Sequence, residues 1–195
     1  MYILKDNYLL MFFLLHLSLA VIALFISIKG SKGVDKLGLI IVSASYVLIV
    51  FARPGLGVDE TTYRVAYETY LSNPNMVEFE YSFKTLFYFF KIAEVTPEVF
   101  NNTMCCLYIM LMTILVLFTV QSSFKTLCLL IFLFSAVSLD FIFNAYRQGF
   151  AFIFVFASLI FYKGNKRLLS ALFIIIAIGF HWSSIFIPML MFCFR

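Results

Sequence analysis

The stretch YLLMFFLLHLSLAVIALFISI, residues Tyr8–Ile28, contains no charged residue and decides the fold class. An α-helix rises about 1.5 Å per residue, so about 20 apolar residues cross the hydrocarbon core of a bilayer. The apolar segment of a secretory signal is shorter, about 7–15 residues, and a small-residue cleavage site follows it. We therefore interpret Tyr8–Ile28 as a retained first transmembrane helix.

The composition of the whole chain also favours lipid as the solvent. Of its 195 residues, 64% are hydrophobic and 12% are charged, and Phe contributes 26. A soluble domain has about 45–50% apolar and about 25% charged residues. So few charges cannot cover a water-exposed surface, which excludes a soluble globular domain. The net charge of +4 comes from scattered basic residues, so nucleic acid is not an expected partner.

Charged and turn residues divide the chain into apolar segments, with one long polar stretch at residues 53–102. The pattern predicts an all-α, polytopic integral membrane helix bundle, residues 1–195, with about six transmembrane helices and the start of a seventh. Within the polar stretch, Phe83–Ala93 is too short to cross lipid, and we expect an amphipathic interfacial helix or a re-entrant helix there. The predicted spans are Tyr8–Ile28, Leu37–Ala52, Thr103–Val120, Thr126–Phe143, Gln148–Tyr162 and Leu168–Phe194.

The short turns predict the orientation of these spans. Turns after the first, third and fifth spans carry many basic residues and a single acid, Asp35, whereas the acidic residues concentrate on the other side. Basic short turns stay in the cytoplasm, so residues 53–102 should form an extracytoplasmic loop. We expect a multi-pass protein of the plasma (inner) membrane. The basic residues of these turns are Lys29, Lys32, Lys36, Lys125, Lys163, Lys166 and Arg167.

The cysteines and histidines form no recognisable metal or cofactor motif. The four cysteines lie in apolar stretches, without CxxC spacing and without a histidine at ligand spacing. The chain also lacks the P-loop, GxSxG, HExxH and dinucleotide-binding patterns. We therefore expect no disulfide, no metal and no cofactor. The cysteines are Cys105, Cys106, Cys128 and Cys193.

The stretch RPGLGVDETTYRVAYETY, residues 53–70, opens the long polar loop. Its proline and glycines predict a turn, and Asp59 is a suitable N-cap for a helix over Glu60–Leu71. The tyrosines then share one helix face beside a row of charged side chains. Such a face suits a sugar, and it equally suits an interfacial helix with a tyrosine belt, so both interpretations stay open. The tyrosines are Tyr63, Tyr67 and Tyr70, and the charged row is Glu60, Arg64 and Glu68.

Two further stretches carry residues suited to chemistry. In NAYRQG, residues 144–149, Arg147 begins the predicted fifth span, where it could bind a diphosphate or pair with Asp140. In GFHWSS, residues 179–184, His181 has apolar neighbours. It could act as a general base or acid, or it could be a hydrogen-bonded residue of helix packing. The sequence leaves both pairs of alternatives open.

Together, these stretches resemble the EpsG family, which is related to the Wzy-type polymerases of O-antigen and exopolysaccharide. The resemblance rests on short motifs that follow one another in the family's order between residues 53 and 188. Members of that family are usually longer, so we expect this chain to correspond to the N-terminal part of a longer fold. The matching residues are Arg53, Gly57, Asp59 and Tyr63, then Glu80 and Tyr81, then Asn144, Arg147, Gln148 and Ala151, and finally Phe180, His181 and Ser183.

The resemblance implies a glycosyltransferase that polymerises oligosaccharide repeat units linked to polyprenyl diphosphate, on the extracytoplasmic face. Its partners would be the lipid-linked glycan, the bilayer and other polysaccharide assembly proteins. Two alternatives are a non-catalytic component of glycan assembly or export and a membrane acyltransferase that uses His181. On the family interpretation, the catalytic candidates are His181 and Asp59, and the substrate-binding candidates are Arg53, Tyr63, Arg64, Arg147 and Gln148.

The orientation can be tested by single-cysteine labelling in a background that lacks the native cysteines. We predict that an impermeant maleimide labels Asn75→Cys in intact cells, because this residue lies in the long outer loop. Lys32→Cys and Asn165→Cys should react only after permeabilisation, because both lie in basic turns. Labelling of position 75 only in permeabilised cells would contradict this orientation.

Overall fold

The computed structural model describes residues 2–52, 57–120 and 123–186. Every regular element in these ranges is helical, so the all-α prediction is confirmed. Two short 3₁₀ turns, Pro74–Met76 and Trp182–Ile185, accompany the α-helices. The helices are α1 (Tyr2–Lys29), α2 (Lys32–Ala52), α3 (Glu60–Ser72), α4 (Tyr81–Ile92), α5 (Pro97–Thr119), α6 (Lys125–Phe134), α7 (Ala136–Phe143), α8 (Tyr146–Lys163) and α9 (Arg167–Phe180).

Three of the described helices, α1, α2 and α5, are long and apolar enough to cross a membrane. The pair α6 and α7 meets the same criterion together but is bent by 69°, which would make it a broken fourth span. The chain is thus a helical membrane protein, and the larger number of spans predicted from sequence is not confirmed. The last predicted span, Leu168–Phe194, begins as the short helix α9, and its residues 187–194 lie outside the described ranges.

Ser135 explains why the predicted span Thr126–Phe143 is divided into two helices, α6 and α7. Its backbone is extended (φ −62°, ψ 144°), which ends α6. Its hydroxyl donates to the Phe132 carbonyl at 2.7 Å and accepts from the Ser138 amide at 3.1 Å. A serine that caps two helix ends competes with the continuous helical ladder, which local apolar periodicity does not reveal.

The chain divides into two compact units, and the first consists of Met1–Gly57 and Cys105–Phe143. The outer faces of α1 and α2 carry exposed apolar side chains, as expected for helices that face lipid. Inside the unit, His16 Nδ1 and the Tyr46 hydroxyl share a hydrogen bond of 2.5 Å, and the His16 ring stacks on Phe134 with centroids 3.6 Å apart. The mid-span histidine therefore has polar and aromatic partners within the protein.

Asp35, in the first turn of α2, caps the N-terminus of α6 in the first unit. Its two carboxylate oxygens accept from the backbone amides of Lys125 and Thr126, each at 3.0 Å, and its carbonyl accepts from the Thr126 hydroxyl at 2.6 Å. Phe124, at the N-cap position of α6, supplies no side-chain cap of its own. A Cβ at Gly38 would meet Thr126 at 2.7 Å, so glycine permits this close approach. Two of the basic turns thus meet at one end of the unit.

The second unit consists of Val58–Met104 and Asn144–Arg195 and is described up to residue 186. Helices α8 and α9 pack against each other through stacked phenylalanines, including Phe154 and Phe173 at 5.9 Å. Ser158 Oγ contacts the hydroxyl and the carbonyl of Ser170, both at 2.9 Å. This buried polar contact fixes the register of the two helices.

The predicted helix over Glu60–Leu71 is α3, and its tyrosine face is buried. Tyr63, Tyr67 and Tyr70 are each at most 7% exposed. Their rings pack against Phe83, Phe87 and other aromatic rings of the unit. The face is therefore part of the core, and it is neither an open platform for a sugar nor a belt facing the membrane surface. Sequence periodicity located the face correctly but did not reveal that it is covered.

The Asp35 cap gives a graded stability prediction. Asp35→Ala removes both carboxylate acceptors, and loss of a helix cap typically costs about 0.5–2 kcal/mol. Asp35→Asn keeps one acceptor oxygen, so we expect an intermediate loss. The measurement is the thermal unfolding midpoint of the purified protein in detergent, with the exposed Glu78→Ala as a control that should match wild type. Equal midpoints for Asp35→Ala and wild type would show that the cap does not stabilise the unit.

Candidate functional site

Glu80, directly before α4, lies at the centre of a charged cluster in the second unit. Its backbone is extended (φ −62°, ψ 156°), and its carboxylate makes no capping bond to α4. The carboxylate points instead to two other elements of the unit. Oε2 accepts from Arg147 Nη1 at 2.9 Å, and Oε1 lies 3.8 Å from His181 Nδ1. Its side chain is only 9% exposed, so one nearly buried carboxylate faces both the guanidinium and the imidazole.

Arg147 reaches Glu80 from the first turn of α8. Its guanidinium lies over the Phe79 ring, 4.8 Å from the centroid, and it also interacts with the Tyr63 hydroxyl. Tyr63 in turn packs on Tyr146, with ring centroids 4.9 Å apart. The Arg147 side chain remains 30% exposed, and its buried Nε has no hydrogen-bond partner among the described residues. Glu80 therefore binds one edge of the guanidinium, and the Phe79 ring packs on one of its faces. Other N–H groups of the guanidinium remain for a further acceptor.

His181 follows the last residue of α9, where the backbone becomes extended (φ −155°, ψ 122°). Its amide still donates to the Ala177 carbonyl at 3.0 Å, so the end of the helix fixes the position of the ring. Nδ1 is buried without a hydrogen-bond partner in the described part of the chain, while the side chain as a whole is 25% exposed. Since Nδ1 is buried, the exposure belongs to the rest of the ring.

The surroundings of His181 keep its imidazole neutral near pH 7. Burial lowers the pKa of His181 below its usual value near 6.5, and the positive charge of Arg147 lowers it further. The negative charge of Glu80 acts in the opposite direction but does not cancel these effects. A neutral imidazole has a free ring nitrogen that can accept a proton.

Helix α4 is held against α9 by an unusually close contact, which brings Glu80 and His181 together. The Tyr81 hydroxyl donates to the Ile175 carbonyl, and the Ser82 hydroxyl donates to the Ile176 carbonyl at 3.0 Å. A Cβ added at Gly179 would overlap the Tyr81 ring and the Ser82 hydroxyl. Glycine two residues before His181 is therefore what permits the approach.

The arrangement combines three chemical groups: a buried carboxylate, a guanidinium hydrogen-bonded to it at 2.9 Å, and an imidazole 3.8 Å from it. A guanidinium binds phosphate oxygens through parallel N–H bonds, and a neutral imidazole can take a proton from a hydroxyl. The buried carboxylate balances positive charge on either partner. Within the described residues, no group of three or more His, Cys, Asp or Glu side chains is arranged to hold a metal ion.

Three of the residues predicted from sequence are brought together in this cluster: Tyr63, Arg147 and His181. Arg64 is exposed and forms an ion pair with Glu68 at 3.8 Å on the outer face of α3. Asp59 and Gln148 are also exposed. No contact joins the side chains of these three residues to the cluster within the described ranges, and Arg53 lies outside those ranges. The roles predicted for all of these residues stay predictions.

Glu80 is the site residue that sequence reasoning did not select. The available signal was a single carboxylate between Phe79 and Tyr81, in a motif matched only by family resemblance. Sequence reasoning considered Asp140 as the carboxylate partner of Arg147, because the two are seven positions apart. The structure shows a hydrogen bond from Arg147 to Glu80, 67 positions away, which no local pattern could indicate.

A comparison with models of protein families identifies the group of proteins to which this chain belongs. A model of the EpsG family matches residues 36–194, nearly the whole chain. The chain belongs to the EpsG family. This family is a Wzy-like polymerase family, and Tyr63, Glu80, Arg147 and His181 all lie within the matched region. No curated protein and no solved structure matches the chain significantly.

We predict that Gly179→Ala destabilises this EpsG-family protein, because the added methyl group must displace the Tyr81 ring and the Ser82 hydroxyl, which hydrogen-bond α9. Overpacking of this kind typically costs about 1–3 kcal/mol. The matched control is Gly164→Ala, where the new Cβ would make ordinary contacts at 3.5 and 3.6 Å. In detergent, the thermal unfolding midpoint of Gly179→Ala should be lower than that of Gly164→Ala. A Gly179→Ala protein as stable as Gly164→Ala would show that the close contact is not required.

Proposed function

We propose that this protein polymerises oligosaccharide repeat units linked to polyprenyl diphosphate into an O-antigen, capsule or exopolysaccharide. The reaction would take place on the extracytoplasmic face of the plasma (inner) membrane, and the protein would be a glycosyltransferase. One observation carries the proposal beyond family membership. A guanidinium and a neutral imidazole, each partly exposed, flank the same nearly buried carboxylate in the second unit.

The proposed reaction has simple requirements. A hydroxyl oxygen of the acceptor glycan attacks the anomeric carbon of the donor glycan and forms a new glycosidic bond. The bond from that carbon to the diphosphate oxygen breaks, and polyprenyl diphosphate leaves with the electron pair. The proton of the attacking hydroxyl goes to a base. The site therefore needs a cation for the leaving group and a proton acceptor for the nucleophile.

Arg147 is suited to bind the leaving diphosphate. Only one of its terminal nitrogens is bound to Glu80, so its other N–H groups can meet diphosphate oxygens. Its place in the first turn of α8 adds the unpaired backbone amides of a helix N-terminus, which favour anions. Developing negative charge on the diphosphate would be stabilised in surroundings that contain several aromatic rings and little water.

His181 is suited to accept the proton. Its lowered pKa keeps the ring neutral at physiological pH, and the exposed part of the ring is available to a hydroxyl. Once protonated, the ring would carry a positive charge opposite Glu80. The polyprenyl chain would lie in the surrounding lipid, and other polysaccharide assembly proteins would supply the substrate and receive the product.

The test is a pair of substitutions at Arg147. We predict that Arg147→Lys reduces polymer formation as severely as Arg147→Ala, because an ammonium cannot form the parallel N–H bonds that a guanidinium offers a diphosphate. Polymer length is measured on gels, in a strain whose own copy is deleted, together with the amount of protein in the membrane. Arg167→Lys, an exposed arginine of α9, is the matched control and should retain full-length polymer.

Three results would count against the proposal. If Arg147→Lys makes polymer of normal length, charge alone suffices and the diphosphate role of Arg147 is wrong. If wild-type protein in its full natural context adds no sugar while an acyl group is transferred, or if His181→Ala leaves polymer unchanged, the protein is not the polymerase described here.

A further inference from the structure

The Glu80 carboxylate faces a nitrogen of His181 that no other described group satisfies. Nδ1 is buried and makes no hydrogen bond, and its ion-pair neighbour is Glu80 Oε1 at 3.8 Å. The other carboxylate oxygen is already bound to Arg147. One oxygen is therefore committed to the guanidinium, while the second is available to the imidazole.

The geometry points to Glu80 as the positioning residue of this site, which orients His181 and selects the tautomer that carries its hydrogen on Nδ1. This inference rests on the proposed function where it concerns a base, but the effect of Glu80 on His181 does not depend on it. A carboxylate that faces Nδ1 favours a hydrogen there, because the alternative turns a ring lone pair toward a negative charge. The lone pair then lies on Nε2.

In the proposed reaction, Glu80 acts on His181 once the imidazole has accepted the proton. When Nε2 takes the proton of the attacking hydroxyl, the ring becomes positively charged, with hydrogens on both nitrogens. The carboxylate beside Nδ1 stabilises that imidazolium through a charge-assisted hydrogen bond, for which the gap of 3.8 Å must shorten.

Two charged groups, on different elements, act on His181 in the described structure. Glu80 comes from the segment before α4, and Arg147 comes from α8. Tyr63 of α3 reaches the cluster through Arg147. Because the two charges have opposite signs, removing one or the other should move the titration of His181 in opposite directions. A residue that only fills space would not produce this pattern.

The experiment follows the reaction of diethyl pyrocarbonate with His181 in the purified full-length protein. The reagent reacts with an imidazole only when the ring is neutral. The pH dependence of the reaction rate therefore reports the titration midpoint of the histidine, and peptide mass spectrometry identifies which histidine was modified. The chain contains two histidines, and the other, His16, is 9% exposed. This readout does not require polymerase activity.

We expect Glu80→Gln to move the midpoint of His181 to lower pH, because Arg147 then acts without an opposing charge. Arg147→Ala should move it to higher pH. Glu78→Gln, an exposed glutamate two residues away, is the matched control and should leave the midpoint unchanged. If Glu80→Gln does not accumulate in the membrane, Glu80→Asp replaces it, since the shorter side chain withdraws the charge and should shift the midpoint in the same direction.

An unchanged midpoint in both Glu80 variants, or a shift of the same sign in the Glu80 and Arg147 variants, would overturn the positioning role. Polymer formation separates this inference from the proposed function. With active wild-type protein, Glu80→Gln should reduce polymer formation roughly 10-fold or more. A loss of this size is usual for the partner that orients a functional histidine at a metal site. Opposite midpoint shifts in a protein that makes no polymer would refute the polymerase and support the link between Glu80 and His181.

Discussion

The near-complete burial of one carboxylate is the constraint on which the second unit depends. Removing an ionised carboxylate from water costs several kcal/mol, so Glu80 must be compensated by partners held in place. Arg147 provides a direct hydrogen bond at 2.9 Å, and His181 lies beside the remaining oxygen. Since these residues come from the segment before α4, from α8 and from the end of α9, the packing of these elements has to be accurate.

Aromatic side chains supply that accuracy. The Phe79 ring and the Tyr63 hydroxyl contact the guanidinium, and the tyrosine face of α3 packs into a cluster of phenylalanines from α4 and α5. These rings exclude water from one side of the ion pair, which strengthens its electrostatic interactions. The same rings that make the chain insoluble in water therefore also build the surroundings of the charged cluster. In this unit, the aromatic side chains and the charged side chains therefore belong to one packed arrangement.

The first unit uses a carboxylate in a different way. Asp35 is completely buried, and it is satisfied by backbone amides at the start of α6 rather than by a cationic side chain. A helix N-terminus offers unpaired donors and a favourable dipole, so it can hold a negative charge without a salt bridge. Asp35 is thus a structural acid, whereas Glu80 lies among partly exposed groups that can meet a ligand.

The sequence by itself determined the membrane class, the helical fold, the helix α3 with its tyrosine face, and three members of the cluster, Tyr63, Arg147 and His181. These features depend on composition, on periodicity within one helix and on short motifs, which are local properties. Only the tertiary structure decided that the tyrosine face is covered, that the chain breaks at Ser135, and that Glu80 is the shared partner. Glu80 lies 67 positions from Arg147, and no local pattern can encode such a pairing, because it depends on how closely α4 approaches α9 at Gly179.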